Sequence, residues 1–219
     1  PEERVAIRDR LCPRFFEYYA STEGGGVSLL TPEDLGARAT SVGRPVFGVD
    51  VEVVDATDRP LPPGEVGLLR YRGPGCATTY HRDPEASSEA FRDGWFYPGD
   101  LASLDAEGYV TLRGRQKDMI IRAGINIYPA DVEAALNAHP AVAESAVVGV
   151  PSPEFGEEIA AFVRLNQPVG IDALLDFART RLPRPKWPRQ IVVMDDLPRN
   201  SSGKVLKRQL AEGIAGRGG

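Results

Sequence analysis

The chain has 219 residues, 42% of them hydrophobic, which is enough for one or two globular domains and excludes a fibrous or disordered polymer. A formal charge of −5 argues against a sequence-independent nucleic-acid binder, which needs a basic face. No apolar run approaches the ~18 residues of a membrane helix and no basic-then-apolar leader opens the chain, so a cytoplasmic protein with no membrane span is expected.

Helix-forming residues run from Pro1 to Arg10, and an aromatic strand from Phe15 to Tyr19 follows. It runs into Ala20-Ser21-Thr22-Glu23-Gly24-Gly25-Gly26. Hydroxyls, a carboxylate and glycines in that order suit a phosphate or metal site, because hydroxyls donate to phosphate oxygens and a carboxylate holds Mg²⁺. By itself the order also describes a polar turn after a strand. From Val42 to Arg72 short alternating strands are predicted, with Val49, Val51 and Val53 opposing Asp50 and Glu52, in a β-rich, barrel-like piece. A helix begins at Pro84. Cys12, Cys76, His81 and His139 lack ligand spacing and read as core or surface residues.

Asp93-Gly94-Trp95-Phe96-Tyr97-Pro98-Gly99-Asp100 sets a carboxylate just after a Pro-Gly turn. Such a carboxylate can accept two hydrogen bonds from a vicinal diol, and it can equally cap its own turn. A strand over Tyr109–Leu112 then ends in Gly114-Arg115-Gln116-Lys117-Asp118, a solvated joint, with Arg122 counted among its polar residues. Beyond it the apolar pattern restarts. A strand at Met119–Ile121, a turn at Gly124 that needs free backbone angles, and a helix opened by Pro129 with Val132, Ala135 and Leu136 on one face are predicted. Helix 130–138, strands 145–150 and 159–165, helix 172–182 and strand 190–194 complete a two-layer α+β unit, with Ile171, Leu174, Leu175, Ala178 and Leu182 as an apolar stripe stopped by Pro183. Leu197-Pro198-Arg199-Asn200-Ser201-Ser202-Gly203-Lys204 is not a phosphate-binding Walker loop, since Pro198 holds the place of its first glycine. Its serines, glycine and Lys204 read as a mobile tip bearing one cation, which alone is a solvated lysine.

Gly114 to Glu133, with the pattern G-R-x-K-D-x-I-x-x-x-G-x-N-I-x-P, resembles the linker of the adenylate-forming superfamily of acyl-CoA synthetases, luciferases and peptide-synthetase adenylation domains. The K-D-M-I and G-I-N-I-Y-P-A wording is closer to the acid-CoA ligases. Three further motifs agree in order: Y-A-S-T-E-G, G-W-F-Y-P-G-D and P-R-N-S-S-G-K, so the resemblance spans Phe15 to Leu210. It departs at Ala20, where glycine is usual, and at Pro98, where threonine is usual.

The resemblance implies a fold and a set of roles. Residues 1–115 would be the β-rich tail of a large α/β adenylating domain, and 116–219 a small α+β C-terminal domain, with the hinge near Lys117. Tyr19 would lie by the adenine, Thr22 at the phosphates, Glu23 on Mg²⁺, and Asp100 with Arg115 on the ribose. Gly24 and Gly25, with Gly26, would floor the acyl pocket and, by leaving room, favour a bulky or aromatic acid. Gly124 would wall the coenzyme A channel, and Lys204 would be the catalytic lysine. The implied partners are ATP, a carboxylic acid, coenzyme A and an N-terminal portion of the same enzyme. Pro1 in place of an initiator methionine, and the lack of the family's phosphate loop, lead us to expect the C-terminal part of a larger enzyme. Other adenylate-formers, luciferase-like or carrier-protein-loading, and a non-catalytic binding module are the alternatives.

Overall fold

The computed structural model describes residues 2–215; Pro1, at the head of the first expected helix, and residues 216–219 lie outside them. The chain divides into two compact units, Pro1–Gln116 with two sheets and Lys117–Gly219 with one, each with its own core.

In the first unit, helix α1 (Glu2–Arg10) leads to β1 (Glu17–Ser21), β2 (Gly25–Leu30) and β3 (Arg44–Pro45), an antiparallel sheet in the order β1-β2-β3. Then come β4 (Asp50–Val54), β5 (Val66–Arg72), α2 (Pro84–Ala90), β6 (Phe91–Arg92), β7 (Trp95–Phe96), β8 (Asp100–Leu104) and β9 (Val110–Arg115). α2 starts where Pro84 predicts, capped by the Asp83 side chain on Ala86 N–H. β5 is the centre of this second sheet, paired with β4, β7 and β8, and β9 pairs with β8. The strands expected over residues 42–72 are β4 and β5 of this sheet. The outer edge of β9 is covered by the loop before β3: Val42 N–H donates to Val110 and Val110 N–H to Gly43. The core beneath holds Val27, Val53, Leu69, Tyr71, Phe96, Ala102 and Val110.

A one-turn 3-10 helix, Gln116–Asp118, begins at the last residue of the first unit and opens onto β10 (Ile120–Arg122) and β11 (Ile125–Ile127) of the second. Helix α3 (Pro129–Asn137), β12 (Val142–Ser152), β13 (Gly156–Leu165), α4 (Ile171–Arg181), β14 (Gln190–Val193) and α5 (Lys207–Ala215) follow. The strand order is β11-β10-β13-β12, with β14 parallel to β13. β12 and β13 are longer than their sequence windows, β14 ends one residue before its window and β10 is shifted by one, and the joint is shorter, since β9 runs through Gly114 and Arg115.

The expected two layers become three. Ile159, Ala161 and Val163 of β13 face α3 and α4, packing with Val132, Leu136, Leu174 and Ala178. The alternate residues Ala160 and Phe162 face Leu210 of α5 and Leu197. A sheet covered on both faces has near-continuous apolar strands, as the runs Ala146-Val147-Val148 and Ile159-Ala160-Ala161-Phe162 show. In the α4 stripe, Leu174 and Ala178 are buried, whereas Ile171 at the helix start is exposed. Among the described residues no helix is long and apolar enough to cross a membrane.

Leu136 is fully buried in the α3/α4 core. Leu136→Ala should therefore cost the second unit about 2–5 kcal/mol. Urea unfolding followed at Trp187 in a Trp95→Phe background should show the lowered midpoint, while a probe in the first unit keeps its own.

Candidate nucleotide and lysine sites

β1 and β2 form a hairpin in which Ser21 pairs with Gly25, leaving Thr22-Glu23-Gly24 as the loop. The expected strand-then-polar-turn is thus a tight hairpin, closed from inside. Ser21 Oγ accepts from Gly24 N–H at 2.8 Å and shares a 2.8 Å hydrogen bond with the Tyr71 hydroxyl. The Glu23 carbonyl accepts from Ala77 N–H, and its carboxylate accepts from the Tyr80 hydroxyl at 3.0 Å. Thr22 is exposed, and Ala20 sits in the strand opposite Gly26 without a positive φ, so alanine serves there as well as glycine.

The glycines of this hairpin have packing explanations. A Cβ on Gly24 would land in the Tyr71 ring, and one on Gly26 at the Tyr18 hydroxyl. The space that a Cβ would take at Gly24 and Gly26 is therefore not open to a bulky acid, since tyrosines already occupy it. Gly25, with φ +64°, meets nothing closer than the Gly75 carbonyl at 3.9 Å.

Asp100 opens β8 directly opposite Arg115, near the end of β9. One carboxylate oxygen accepts from the Tyr19 hydroxyl at 2.5 Å, and the other lies 3.3 Å from Arg115 Nε. The Asp100 side chain is 15% exposed and that of Arg115 50%. Three of the nucleotide candidates thus meet at one carboxylate, and Tyr19 touches the ribose candidate itself. Two of the carboxylate's roughly four acceptor positions are engaged, which leaves capacity for a diol. Trp95 and Phe96, from the same motif, are buried, with Phe96 stacked on Phe91 and edge-on to Tyr71.

Burial, followed by the bond to Asp100, pushes the Tyr19 phenol well above its ordinary value, and burial does the same for Tyr71. The folded chain keeps protons that the unfolded chain releases near pH 10. Their contribution to stability is therefore complete below about pH 10 and declines as pH rises toward the folded-state values. Tyr19→Phe should flatten this alkaline decline in urea-midpoint measurements at pH 8 and 11. An unchanged slope would mean that Tyr19 ionises as freely in the folded chain.

In the second unit, Lys117 is exposed in the 3-10 turn. Arg122 does not belong to a solvated joint. Its guanidinium is largely buried against Glu158, with Nε 2.7 Å from the carboxylate, and it donates to the Pro185 carbonyl at 3.0 Å. Gly124 forms with Ala123 a two-residue turn between β10 and β11, at φ +78° and +50°. Both residues on the left-handed side is the arrangement that matches strand twist in a tight hairpin.

Lys204 is exposed, but its loop is not the loose tip expected. Arg199 and Val205 form a bridge, and the Asn200 side chain accepts from Ser202 N–H, Ser202 Oγ and Lys204 N–H at 3.1, 2.8 and 2.9 Å. Asn200 N–H also donates to the Lys204 carbonyl. An asparagine at the head of a Ser-Ser-Gly stretch is the local signal for such a turn. Ser21, Tyr71 and Tyr80, which shape the hairpin, had no comparable signal, because their partners lie 50 and 57 residues away.

The AMP-binding enzyme family matches residues 1–81, and the AMP-binding enzyme C-terminal domain matches residues 131–204. A long-chain-fatty-acid–CoA ligase of Salmonella typhimurium is 36% identical over 202 residues, 92% of this chain and 36% of the ligase. A feruloyl-CoA synthase of an Amycolatopsis species is 41% identical, over 90% of this chain and 40% of the synthase. The solved o-succinylbenzoate CoA synthetase of Bacillus subtilis, in complex with its acyl-adenylate intermediate, superimposes with a TM-score of 0.87 at 35% identity, over 94% of this chain and 42% of that one. The chain thus spans about two fifths of the length of these relatives. With both family matches in the expected order and a shared fold at this identity, the chain belongs to the adenylate-forming superfamily of AMP-binding enzymes.

Proposed function

We propose that this chain is the C-terminal part of a cytoplasmic AMP-forming acid–CoA ligase acting on a fatty or aromatic carboxylic acid. The observation that carries the reading is the meeting of Tyr19, Asp100 and Arg115 at one carboxylate, in a chain that also presents an exposed Lys204 on a well-fixed loop.

In the first half-reaction a carboxylate oxygen of the acid attacks the α-phosphorus of ATP, and the bond to pyrophosphate breaks. In the second, the sulfur of coenzyme A attacks the acyl carbon, AMP leaves, and the thiol proton is lost. Negative charge concentrates on the phosphoryl group during the first step, so a positioned cation is the main contribution a side chain can make. We assign that cation to Lys204. Asp100, with Arg115 beside it, accepts from the ribose hydroxyls, Tyr19 holds Asp100 in place next to the adenine, and Thr22 donates to the phosphates. Glu23, its carboxylate fixed by Tyr80, fits Mg²⁺, which takes one or two carboxylates together with substrate phosphates. When bound, the ion neutralises charge on those phosphates. Gly25 remains the acyl-pocket candidate, and the Gly124 turn the wall of the coenzyme A channel.

Pyrophosphate release by the full-length enzyme over a panel of fatty and aromatic acids, with coenzyme A or a carrier-protein thiol as acceptor, tests the assignment. Release with no acid of the panel would overturn it; transfer only to the carrier protein would reassign the acceptor. The hinge is tested separately. Proline at position 117 fixes φ near about −65°, so Lys117→Pro should spare one half-reaction and suppress the other. Equal loss of both would remove Lys117 as the pivot.

A further inference from the structure

Two ion pairs hold the stems of the Lys204 loop to the body of the second unit. Upstream, Arg199 places one guanidinium nitrogen on both oxygens of Glu144, a residue of β12, and donates through the other to the Gly203 carbonyl at 2.6 Å. Arg164, the cross-strand neighbour of Glu144 on β13, lies behind it with Nε 3.9 Å from the same carboxylate. Downstream, Lys207 at the start of α5 places Nζ 2.7 Å from Glu133 of α3, whose carboxylate also accepts from Val147 N–H at 2.8 Å. Between these two anchors the backbone is closed on itself by Asn200. Arg199 thus reaches the peptide immediately before Lys204, and Lys207 fixes the third residue after it.

We propose that Glu144 and Glu133 are positioning residues for Lys204, each acting through a cation on one stem of its loop; this rests on the catalytic role assigned to Lys204 above. The arrangement has a chemical logic. An exposed lysine on a free loop samples many positions, and its charge stabilises a developing phosphoryl anion only from a narrow set of them. A loop closed at its base by Asn200 and clamped to two different elements keeps the Cα of Lys204 in one place while leaving its side chain in solvent. Surface ion pairs of this exposure contribute little to global stability, so the expected loss on removing them is of placement rather than of folding.

The test uses Glu144→Gln and Lys207→Gln in the full-length enzyme, with Lys204→Ala as reference. A misplacement of about 1 Å can cost on the order of 10² in rate. Each variant should therefore lower kcat for pyrophosphate release roughly 10- to 100-fold, with KM for ATP unchanged and thioester formation from synthetic acyl-adenylate unchanged. Amide exchange in the 219-residue chain should speed up at Gly203 to Leu206 in each Gln variant. Wild-type adenylation in both variants, equal loss in both half-reactions, or unchanged exchange would each overturn the proposal. If Lys204→Ala adenylates normally while Glu144→Gln does not, the glutamate acts by another route, and the catalytic assignment of Lys204 falls with the proposal. If Lys204→Ala is inactive and both Gln variants are normal, only the positioning role falls.

Discussion

In the full-length enzyme, Lys204→Ala is expected to lower the rate of pyrophosphate release ~10²–10³-fold or more, the usual consequence of deleting one preorganised electrostatic contact to a transition state. The structure makes this a clean experiment. Lys204 is exposed, and its loop is held through its backbone amide and carbonyl, through Asn200 and through Arg199, none of which uses the lysine side chain. Truncation should leave the loop standing. Thioester formation from synthetic acyl-adenylate should stay near its normal rate, because that step attacks an adenylate already made and does not pass through the transition state at phosphorus that Lys204 is assigned to meet. Equal slowing of both half-reactions would show that the lysine serves the fold or both steps, and would end the division of labour proposed between Lys204 and the Gly124 turn.

Asp100→Ala should weaken ATP binding by roughly 1.5–3 kcal/mol for each charge-assisted ribose hydrogen bond lost, before water compensates. The measurement is the difference between ATP and an analogue lacking both ribose hydroxyls. A ribose-binding carboxylate loses affinity for ATP and almost none for the analogue. The structure adds a second consequence. The Tyr19 hydroxyl and the Arg115 guanidinium both lose their partner, so part of the effect could come from their rearrangement. Asp100→Asn keeps one acceptor oxygen and replaces the other with an NH2 donor, so it removes the charge and one of the two contacts while preserving the size of the side chain. Equal loss toward ATP and analogue in both variants would make Asp100 a structural residue.

What could be read from the sequence divides along a physical line. Elements set by local patterning were legible: α2 from Pro84, α3 from Pro129 with its buried Val132, Ala135 and Leu136, and α4 up to Pro183. α5 was not, because Lys207-Arg208-Gln209 and Gly213 blur its apolar face, and with it went the third layer that explains why β12 and β13 are apolar on both sides. The site followed the same rule. Asp100 and Arg115 were paired through family wording, and their contact comes from strand register, which no spacing displays. The glycines at 24 and 26 suggested room for a ligand because the tyrosines that fill that room, Tyr71 and Tyr18, could not be placed against them from sequence. Arg122 looked solvated because its partner, Glu158, lies 36 residues further on.

The end of the β8–β9 ladder lies directly before the joint. Asp100 pairs with Arg115, and the next backbone bond, from Gln116 N–H to the Gly99 carbonyl at 2.9 Å, is the final tie before the chain leaves for Lys117. If the proposed ribose contact holds, a ligand on Asp100 and Arg115 would bear on the stretch of backbone that leads directly to Lys117. Thermodynamic coupling of this kind runs equally in both directions. If a nucleotide favours one setting of the joint by some factor, a substitution that holds the joint in that setting should raise nucleotide affinity by up to that factor, with no change in any group that touches the nucleotide.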